Sequence, residues 1–294
     1  MKNIIKIAAL AALIIAGTAS CKEDVPSSKS ILVADEELND FDRWLEVNYV
    51  LPYNVEFKYR YTVNESNTEY YSYPTTMENA IILAHILKYS TIEALDEVGG
   101  LDFTREYFPK MIFMMGGNEY KNNGSTTLGT AEGGKKITLM GVNNIKNQMY
   151  SASSLRSNYL RVFFHEFTHI LNQRHMYSSD FDQITGNSYQ GDSWAQNPGT
   201  LSLGYISDYS RHSGGEDFAE MVCWYVLNGP DWMERQINSA GDEGGPLLKQ
   251  KLEIVTNYMR ENFNIELSDL YDVVTRRLTE IGNRQVDLTS LAID

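Results

Sequence analysis

The sequence has few cysteines and an unequal balance of charge, and each feature excludes a class of protein. Cys21 and Cys223 are the two cysteines among 294 residues, so a disulfide framework cannot stabilise the fold. Lys and Arg total 25 against 39 for Asp and Glu, which gives a formal net charge of −14. This balance argues against nucleic acid as a partner. The hydrophobic content of 43% suffices for a sizeable core and excludes a wholly disordered chain.

The N-terminus carries an apolar run, from Ile7 to Ala16, that is too short to span a bilayer. A basic start precedes this run, and the small residues Gly17 to Ser20 follow it up to Cys21. Residues 1–20 therefore predict a signal peptide. Small residues directly before a cysteine resemble a bacterial lipobox, although Thr18 stands where an aliphatic residue is usual. The resemblance implies a mature protein anchored to the membrane by a lipidated Cys21. An ordinary cleaved signal peptide is the alternative.

The residues after Cys21 suggest where that anchor is placed. Lys22-Glu23-Asp24 resembles the surface-export signal of Bacteroidetes lipoproteins, which implies an outer-membrane lipid anchor facing the cell surface. Residues 21–35 read as a flexible tether because Pro26 and three serines lie close together in this stretch. We expect the folded domain to cover residues 36–294, with an N-terminal lobe over about 36–174 and a C-terminal lobe over about 175–294.

The stretch Phe163–Leu171 contains the residues with the clearest chemistry. His165 and His169 are four residues apart, so they lie on the same face of a helix and can bind one Zn²⁺. Glu166 directly follows the first histidine and can reach a water on that metal. His-Glu-x-x-His is the zincin signature of metal-assisted hydrolysis. The chain has five histidines in all, which makes a chance occurrence of this spacing rare.

The predicted elements agree with the α+β fold that resemblance to zincins implies. We expect a small mixed sheet with a hairpin packed on the active-site helix, followed by a mainly helical C-terminal lobe. Ser153 or Ser154 is predicted to cap the active-site helix. Cys223 lies in a helical apolar pattern and is expected to be buried. The predicted elements are a buried strand at Lys110–Met115, a hairpin over residues 128–142, and helices at Met77–Leu95, Glu216–Leu227, Pro246–Phe263 and Leu267–Ile281.

Catalytic zinc needs a third protein ligand, and two residues compete for that position. His175 follows His169 by six residues and nearly completes the metzincin pattern, with Asn172 where that pattern has a glycine. Glu216 begins a predicted helix on which Glu220 follows one turn later. Glu220 could accept a hydrogen bond from a ligand histidine and fix its tautomer. The residues themselves leave both candidates open.

A resemblance to the anthrax lethal factor type of gluzincin peptidase favours Glu216. In that family a Tyr and an Arg precede a Glu-x-Phe-Ala-Glu helix at the spacing that Tyr209, Arg211 and Glu216–Glu220 have here. The resemblance implies that Glu216 binds zinc, that Tyr209 stabilises the transition state and that Glu220 supports a ligand. His212 lies close to Tyr209 in the chain and is a weaker candidate for substrate contact.

The whole chain resembles the Bacteroidetes zinc metallohydrolase lipoproteins that are encoded beside TonB-dependent receptors. This resemblance implies a zinc metallopeptidase acting on peptides or proteins, with Glu166 as general base and a link to nutrient import. The alternative is a zinc-containing accessory or capture lipoprotein with little or no hydrolysis. An intact Glu166 beside both histidines favours the peptidase, because a binding module has no need of a general base. We expect the segment Tyr177–Gly215 to contribute to substrate choice.

Overall fold

Most of the described chain is helical. The computed structural model describes residues 38–65, 73–120, 126–127, 129–132 and 135–293. The α-helices are α1 (Asp40–Leu45), α2 (Leu51–Tyr53), α3 (Met77–Leu87), α4 (Glu93–Gly99), α5 (Leu101–Tyr107), α6 (Ala152–Leu155), α7 (Arg161–Arg174), α8 (Asp180–Thr185), α9 (Gly214–Ser239), α10 (Gly241–Phe263) and α11 (Leu267–Gly282). The strands are β1 (Glu56–Lys58), β2 (Met111–Met114), β3 (Glu119–Tyr120), β4 (Thr126–Thr127), β5 (Gly129–Glu132) and β6 (Lys136–Leu139).

Four of these strands form one small mixed sheet with the order β1-β2-β6-β5. The first three strands run parallel, while β5 pairs antiparallel with β6. Gly129 lies opposite Leu139 and Glu132 lies opposite Lys136, so the predicted hairpin is confirmed. The buried residues Ile112, Met114 and Ile137 reflect the apolar runs from which the central strands were predicted. β3 and β4 form a separate antiparallel pair.

Helix α7 packs against both strands of this hairpin and carries a stripe of buried apolar residues at helical spacing. Phe163, Phe167 and Ile170 are buried, as are Phe164 and Leu171 on either side of that stripe. The contact with β5 is very close, since a Cβ added at Gly129 would lie 2.2 Å from Cγ1 of Val162. A larger residue than glycine would therefore separate the strand from the helix.

The predicted start of this helix was wrong in one detail. Ser151, rather than Ser153 or Ser154, caps α6 by accepting a hydrogen bond from the backbone N–H of Ser154. A π-helical turn, Arg156–Leu160, then connects α6 to α7. The helical segment that carries the two histidines therefore includes one wide turn just before them.

The C-terminal part is helical, as predicted, and α9 is its central element. α9 packs against α7 on one side and against α10 and α11 on the others. Gly229, with φ of 82°, and Pro230 interrupt α9, so the predicted helix Glu216–Leu227 corresponds to its first part. Cys223 is buried on this first part, which confirms that prediction. The helices α10 and α11 match the two remaining helices predicted from the sequence.

In the described part of the chain, no helix combines the length and the apolar composition that a bilayer crossing requires. The predicted signal peptide (residues 1–20) and tether (residues 21–35) lie outside the described residues.

Candidate metal centre

Two helices from distant parts of the chain bring three metal-ligand side chains together. His165 and His169 lie on one face of α7, and Glu216 lies in the first turn of α9. The Ser213 hydroxyl caps α9 by accepting a hydrogen bond from the backbone N–H of Glu216, at 3.4 Å. Within the described ranges, these three side chains are the one group of His, Cys, Asp or Glu whose ligand atoms could share a metal ion, all within 4.8 Å of one another.

The spacing and the chemistry of these ligand atoms fit zinc. Glu216 Oε2 is 2.8 Å from His165 Nε2 and 3.2 Å from His169 Nε2, and the two imidazole nitrogens are 3.2 Å apart. Tetrahedral zinc with bonds of about 2.0–2.1 Å separates its ligand atoms by roughly 3.3 Å. Imidazole nitrogens and a carboxylate oxygen are ligands that zinc commonly takes in catalytic sites.

The charges at the site also favour a cation. Burial alone would lower the pKa of His165, but hydrogen bonds to Glu216 and Glu220 raise it to about 10. Burial likewise opposes ionisation of Glu216, yet His165 and His169 hold the pKa of its carboxyl well below the usual value. The carboxylates around His165 therefore favour a positive charge at this position, and a metal ion that binds there would take the place of a proton on His165.

Glu220, one turn after Glu216, orients the first histidine. Its Oε1 lies 2.9 Å from Nδ1 of His165, which leaves Nε2 facing the other ligand atoms. The carboxylate is buried, with donors on Arg161 at 3.0 Å and on the indole of Trp224 at 2.9 Å. Burial would raise the pKa of Glu220, but His165 and Arg161 lower it to about 2. Glu220 thus lies where the sequence predicted a support for a ligand histidine.

Tyr209 lies beside this cluster on a 3₁₀ turn, Tyr209–Arg211, just before α9. Its ring centroid is 5.9 Å from that of His165 and 5.0 Å from that of Trp194. Burial and the negative charge of Glu216 raise the pKa of the Tyr209 hydroxyl well above its usual value. The hydroxyl therefore stays protonated and can donate a hydrogen bond to a substrate oxygen.

Glu166 directly follows His165 on α7 and is half-buried. Its negative charge contributes to raising the pKa values of both His165 and Tyr209. The carboxylate therefore lies near both the ligand cluster and the tyrosine hydroxyl, which is where a general base would act.

His175, the rival third ligand, lies outside the ligand group. α7 continues through Asn172 to Arg174, so the left-handed turn of the metzincin pattern does not form. The His175 side chain is exposed, with its Nε2 at 3.2 Å from the Tyr107 hydroxyl and its ring 5.3 Å from that of Phe263. The geometry therefore favours Glu216 over His175.

His212 lies at the edge of the site. Its ring centroid is 5.5 Å from that of Tyr209, and its Nε2 is 3.7 Å from Asp192. Arg211, by contrast, binds the backbone of the preceding segment, because its guanidinium donates to the carbonyl oxygens of Ser188 and Asn197.

Three side chains at the site were not predicted from the sequence. Arg161 lies four residues before His165, and Trp224 lies four residues after Glu220, so helical spacing could have identified both. Trp194 lies in a short 3₁₀ turn, Gly191–Ala195, where no periodic pattern points to the site.

Comparisons with known proteins agree with this geometry. A family model described as "Putative zinc-binding metallo-peptidase" matches residues 34–268. A "putative zinc-binding metallo-peptidase" from Bacteroides caccae ATCC 43185, known from a crystal structure, has a sequence 37% identical to this chain. The match covers 88% of this chain and 98% of that one, and the two structures superpose with a TM-score of 0.73. Among curated proteins, no significant match was found. The family match spans most of the chain and the structural match shares its mixed α/β fold, so the chain belongs to this family of zinc-binding metallo-peptidases.

Proposed function

We propose that this chain hydrolyses peptide bonds as a zinc-dependent peptidase, with zinc held by His165, His169 and Glu216. The observation that carries the proposal is the three-residue ligand cluster, whose atoms lie 2.8–3.2 Å apart. Glu220 supports the first ligand from the side opposite the metal position. Glu166 adds a carboxylate that no ligand position requires, which favours catalysis over simple metal storage.

The side chains around the ligands carry out the proton transfer and stabilise the developing charge. Bound zinc supplies Lewis acidity, which lowers the pKa of water and polarises a carbonyl group. Glu166 accepts the proton of the water that attacks the scissile carbonyl carbon, and then donates it to the leaving amide nitrogen. The Tyr209 hydroxyl donates a hydrogen bond to the carbonyl oxygen as negative charge develops there.

The sheet edge next to α7 suits an extended peptide substrate. Among the described strands, β5 pairs only with β6, so β5 is an edge strand. Its backbone N–H and C=O groups on the outer edge can pair with an added strand, as in other cases of β-strand addition. β5 also packs against the helix that carries His165 and His169, which would place a bound peptide beside the metal centre.

The test of this function is cleavage of a diverse peptide library with and without a chelator. We expect cleavage by the zinc-loaded protein, loss of cleavage after metal removal, and recovery when zinc is restored. Full zinc occupancy without cleavage of any peptide would contradict the peptidase and support the accessory or capture lipoprotein.

Replacing Tyr209 by phenylalanine is expected to lower kcat by about 100- to 1000-fold, because one donor to the developing oxyanion is lost. KM and zinc content should change little, since the tyrosine hydroxyl is not a proposed ligand. Steady-state kinetics and metal analysis would measure these effects. Tyr61→Phe removes the same hydroxyl from an exposed tyrosine and is the matched control. An unchanged kcat in Tyr209→Phe would remove Tyr209 from the mechanism.

For the location of the protein, we propose an outer-membrane lipid anchor at Cys21 that faces the cell surface and works with a TonB-dependent receptor system in nutrient import. The support is the lipobox-like segment before Cys21 and the Lys22-Glu23-Asp24 signal after it.

Cys21→Ser is expected to abolish fatty-acid labelling and to move the protein from the detergent phase to the aqueous phase in a phase-separation assay. The reason is that serine offers no thiol for acylation, so the variant lacks the acyl chain that would hold it in the detergent phase. Cys223→Ser is the control, because that thiol is buried in α9. Equal labelling of wild type and Cys21→Ser would contradict the anchor. Protease treatment of intact cells would then report whether the anchored protein faces outward.

A further inference from the structure

A fully buried ion pair lies next to the metal centre. Asp217, the residue after Glu216, receives a hydrogen bond from Lys251 of α10, with 2.5 Å between Nζ and Oδ2. Neither side chain has any exposed surface. Burying two charges costs free energy that their attraction often fails to recover, and an apolar pair of similar size is frequently as stable. Fold stability alone is therefore a weak reason for this pair.

Both members of the pair also bind the segment that precedes α9. The Tyr189 hydroxyl donates to Asp217 Oδ2 at 3.1 Å. Lys251 Nζ donates to the carbonyl oxygen of Gly204 at 2.8 Å and lies 4.4 Å from the ring centroid of Tyr205. The two charges thus hold the segment at two places, one near residue 189 and one near residues 204–205.

These contacts continue to the turn that carries Tyr209. Ser210, in the middle of that turn, is fully buried, and its hydroxyl lies 3.2 Å from that of Ser207. The backbone N–H groups of Gln190 and Gly191 donate to the carbonyl oxygens of Arg211 and His212 at 2.8 and 3.0 Å. The turn Tyr209–Arg211 is therefore tied to the ion pair through Tyr189 and the two residues that follow it.

We propose that Asp217 and Lys251 are positioning residues that place the Tyr209 hydroxyl beside the metal centre. The inference rests on the proposed function, in which Tyr209 donates to the substrate oxygen. Glu216 and Asp217 are neighbours in the first turn of α9. This one turn therefore supplies a proposed metal ligand, Glu216, and a carboxylate, Asp217, that binds the segment leading to Tyr209. The metal centre and the oxyanion donor thereby share one rigid support.

The first test compares Lys251→Met with Lys249→Met, which makes the same change on an exposed side of α10. We expect Lys251→Met to lower kcat by roughly tenfold or more with little change in KM and zinc content, because an oriented donor acts mainly in the transition state. Lys249→Met should match wild type. The double variant Asp217→Asn/Lys251→Met removes both charges, so it tests positioning without leaving an unpaired buried carboxylate. Equal kcat values for Lys251→Met and Lys249→Met would overturn the proposal.

A double-mutant cycle with Tyr209→Phe then separates positioning from a general structural effect. If Lys251 acts through the Tyr209 hydroxyl, Lys251→Met should change kcat by less than about twofold once that hydroxyl is absent. Fully multiplicative effects of the two substitutions would place the action of Lys251 elsewhere and overturn the proposal.

Amide hydrogen exchange gives a readout that does not depend on hydrolysis. We expect Lys251→Met to accelerate exchange in peptides covering residues 204–213, while exchange in α7 stays at the wild-type level. Unchanged exchange in residues 204–213 would count against positioning. If the wild-type protein cleaved no peptide but exchange rose locally in the variant, the proposed peptidase function would fail while the attachment of the turn to the ion pair would stand.

Discussion

Glu166→Gln is expected to lose peptide hydrolysis and to keep its zinc. Glutamine has nearly the shape of glutamate but cannot accept the proton of the attacking water, so the general-base contribution of about 100- to 10,000-fold in rate should disappear. The ligand atoms come from His165, His169 and Glu216, none of which changes. Metal analysis of the purified variant, together with kcat/KM on a peptide identified in the library, would measure both effects.

The design of this experiment separates catalysis from metal binding. Zinc content equal to wild type with a large loss of kcat/KM is the expected combination. Activity at the wild-type level in Glu166→Gln would exclude Glu166 as the base. Loss of zinc together with activity would instead indicate that Glu166 is needed to build the metal centre. Glu78→Gln changes a glutamate whose side chain is exposed on α3 and serves as the control.

Glu216→Ala is expected to lose both zinc and hydrolysis. Its Oε2 lies within hydrogen-bonding distance of both imidazole nitrogens, so its removal leaves two ligands where catalytic zinc uses three. Removing an outer partner of a zinc site costs about 10- to 100-fold in affinity, and loss of a direct ligand should exceed that. A competition assay with a zinc-sensitive dye would measure the change in affinity.

The companion variant is His175→Ala, which removes the rival ligand. We expect it to bind zinc as wild type does, because His175 contacts Tyr107 and Phe263 rather than the ligand cluster. Stoichiometric zinc in Glu216→Ala, combined with loss of zinc in His175→Ala, would reverse the assignment of the third ligand. His169→Ala, which removes a histidine of the cluster itself, supplies the positive control for zinc loss.

The sequence was informative where one helix determines the geometry by itself. His165 and His169 lie on the same face because they are four residues apart, and the buried stripe of Phe163, Phe167 and Ile170 follows from the same period. The hairpin of β5 and β6 was also predictable, since its glycines and alternating residues are local signals. Periodicity within one element therefore predicted both the helix that carries the two histidines and the strand beside it.

Contacts between elements were harder to predict. Spacing alone allowed His175 or Glu216 as the third ligand, because the distance from α7 to α9 depends on how the intervening segment folds. That segment contains α8 and several 3₁₀ turns, whose hydrogen bonds join residues far apart in the chain. The Asp217–Lys251 pair links α9 to α10 in the same way. No short-range pattern encodes either contact, so both require the folded structure.

The proposed ligands lie on helices, whereas the connecting segment contributes residues beside Tyr209, and this separation affects how related proteins can diversify. The three proposed ligands lie on α7 and α9, whereas the turn Gly191–Ala195 supplies the ring of Trp194 next to Tyr209 and leaves most of its other residues exposed. Insertions or substitutions in that turn can alter what fits beside Tyr209 without moving a ligand atom. Relatives that keep the three proposed ligands can therefore differ in what they accept beside Tyr209 through changes in a few surface residues.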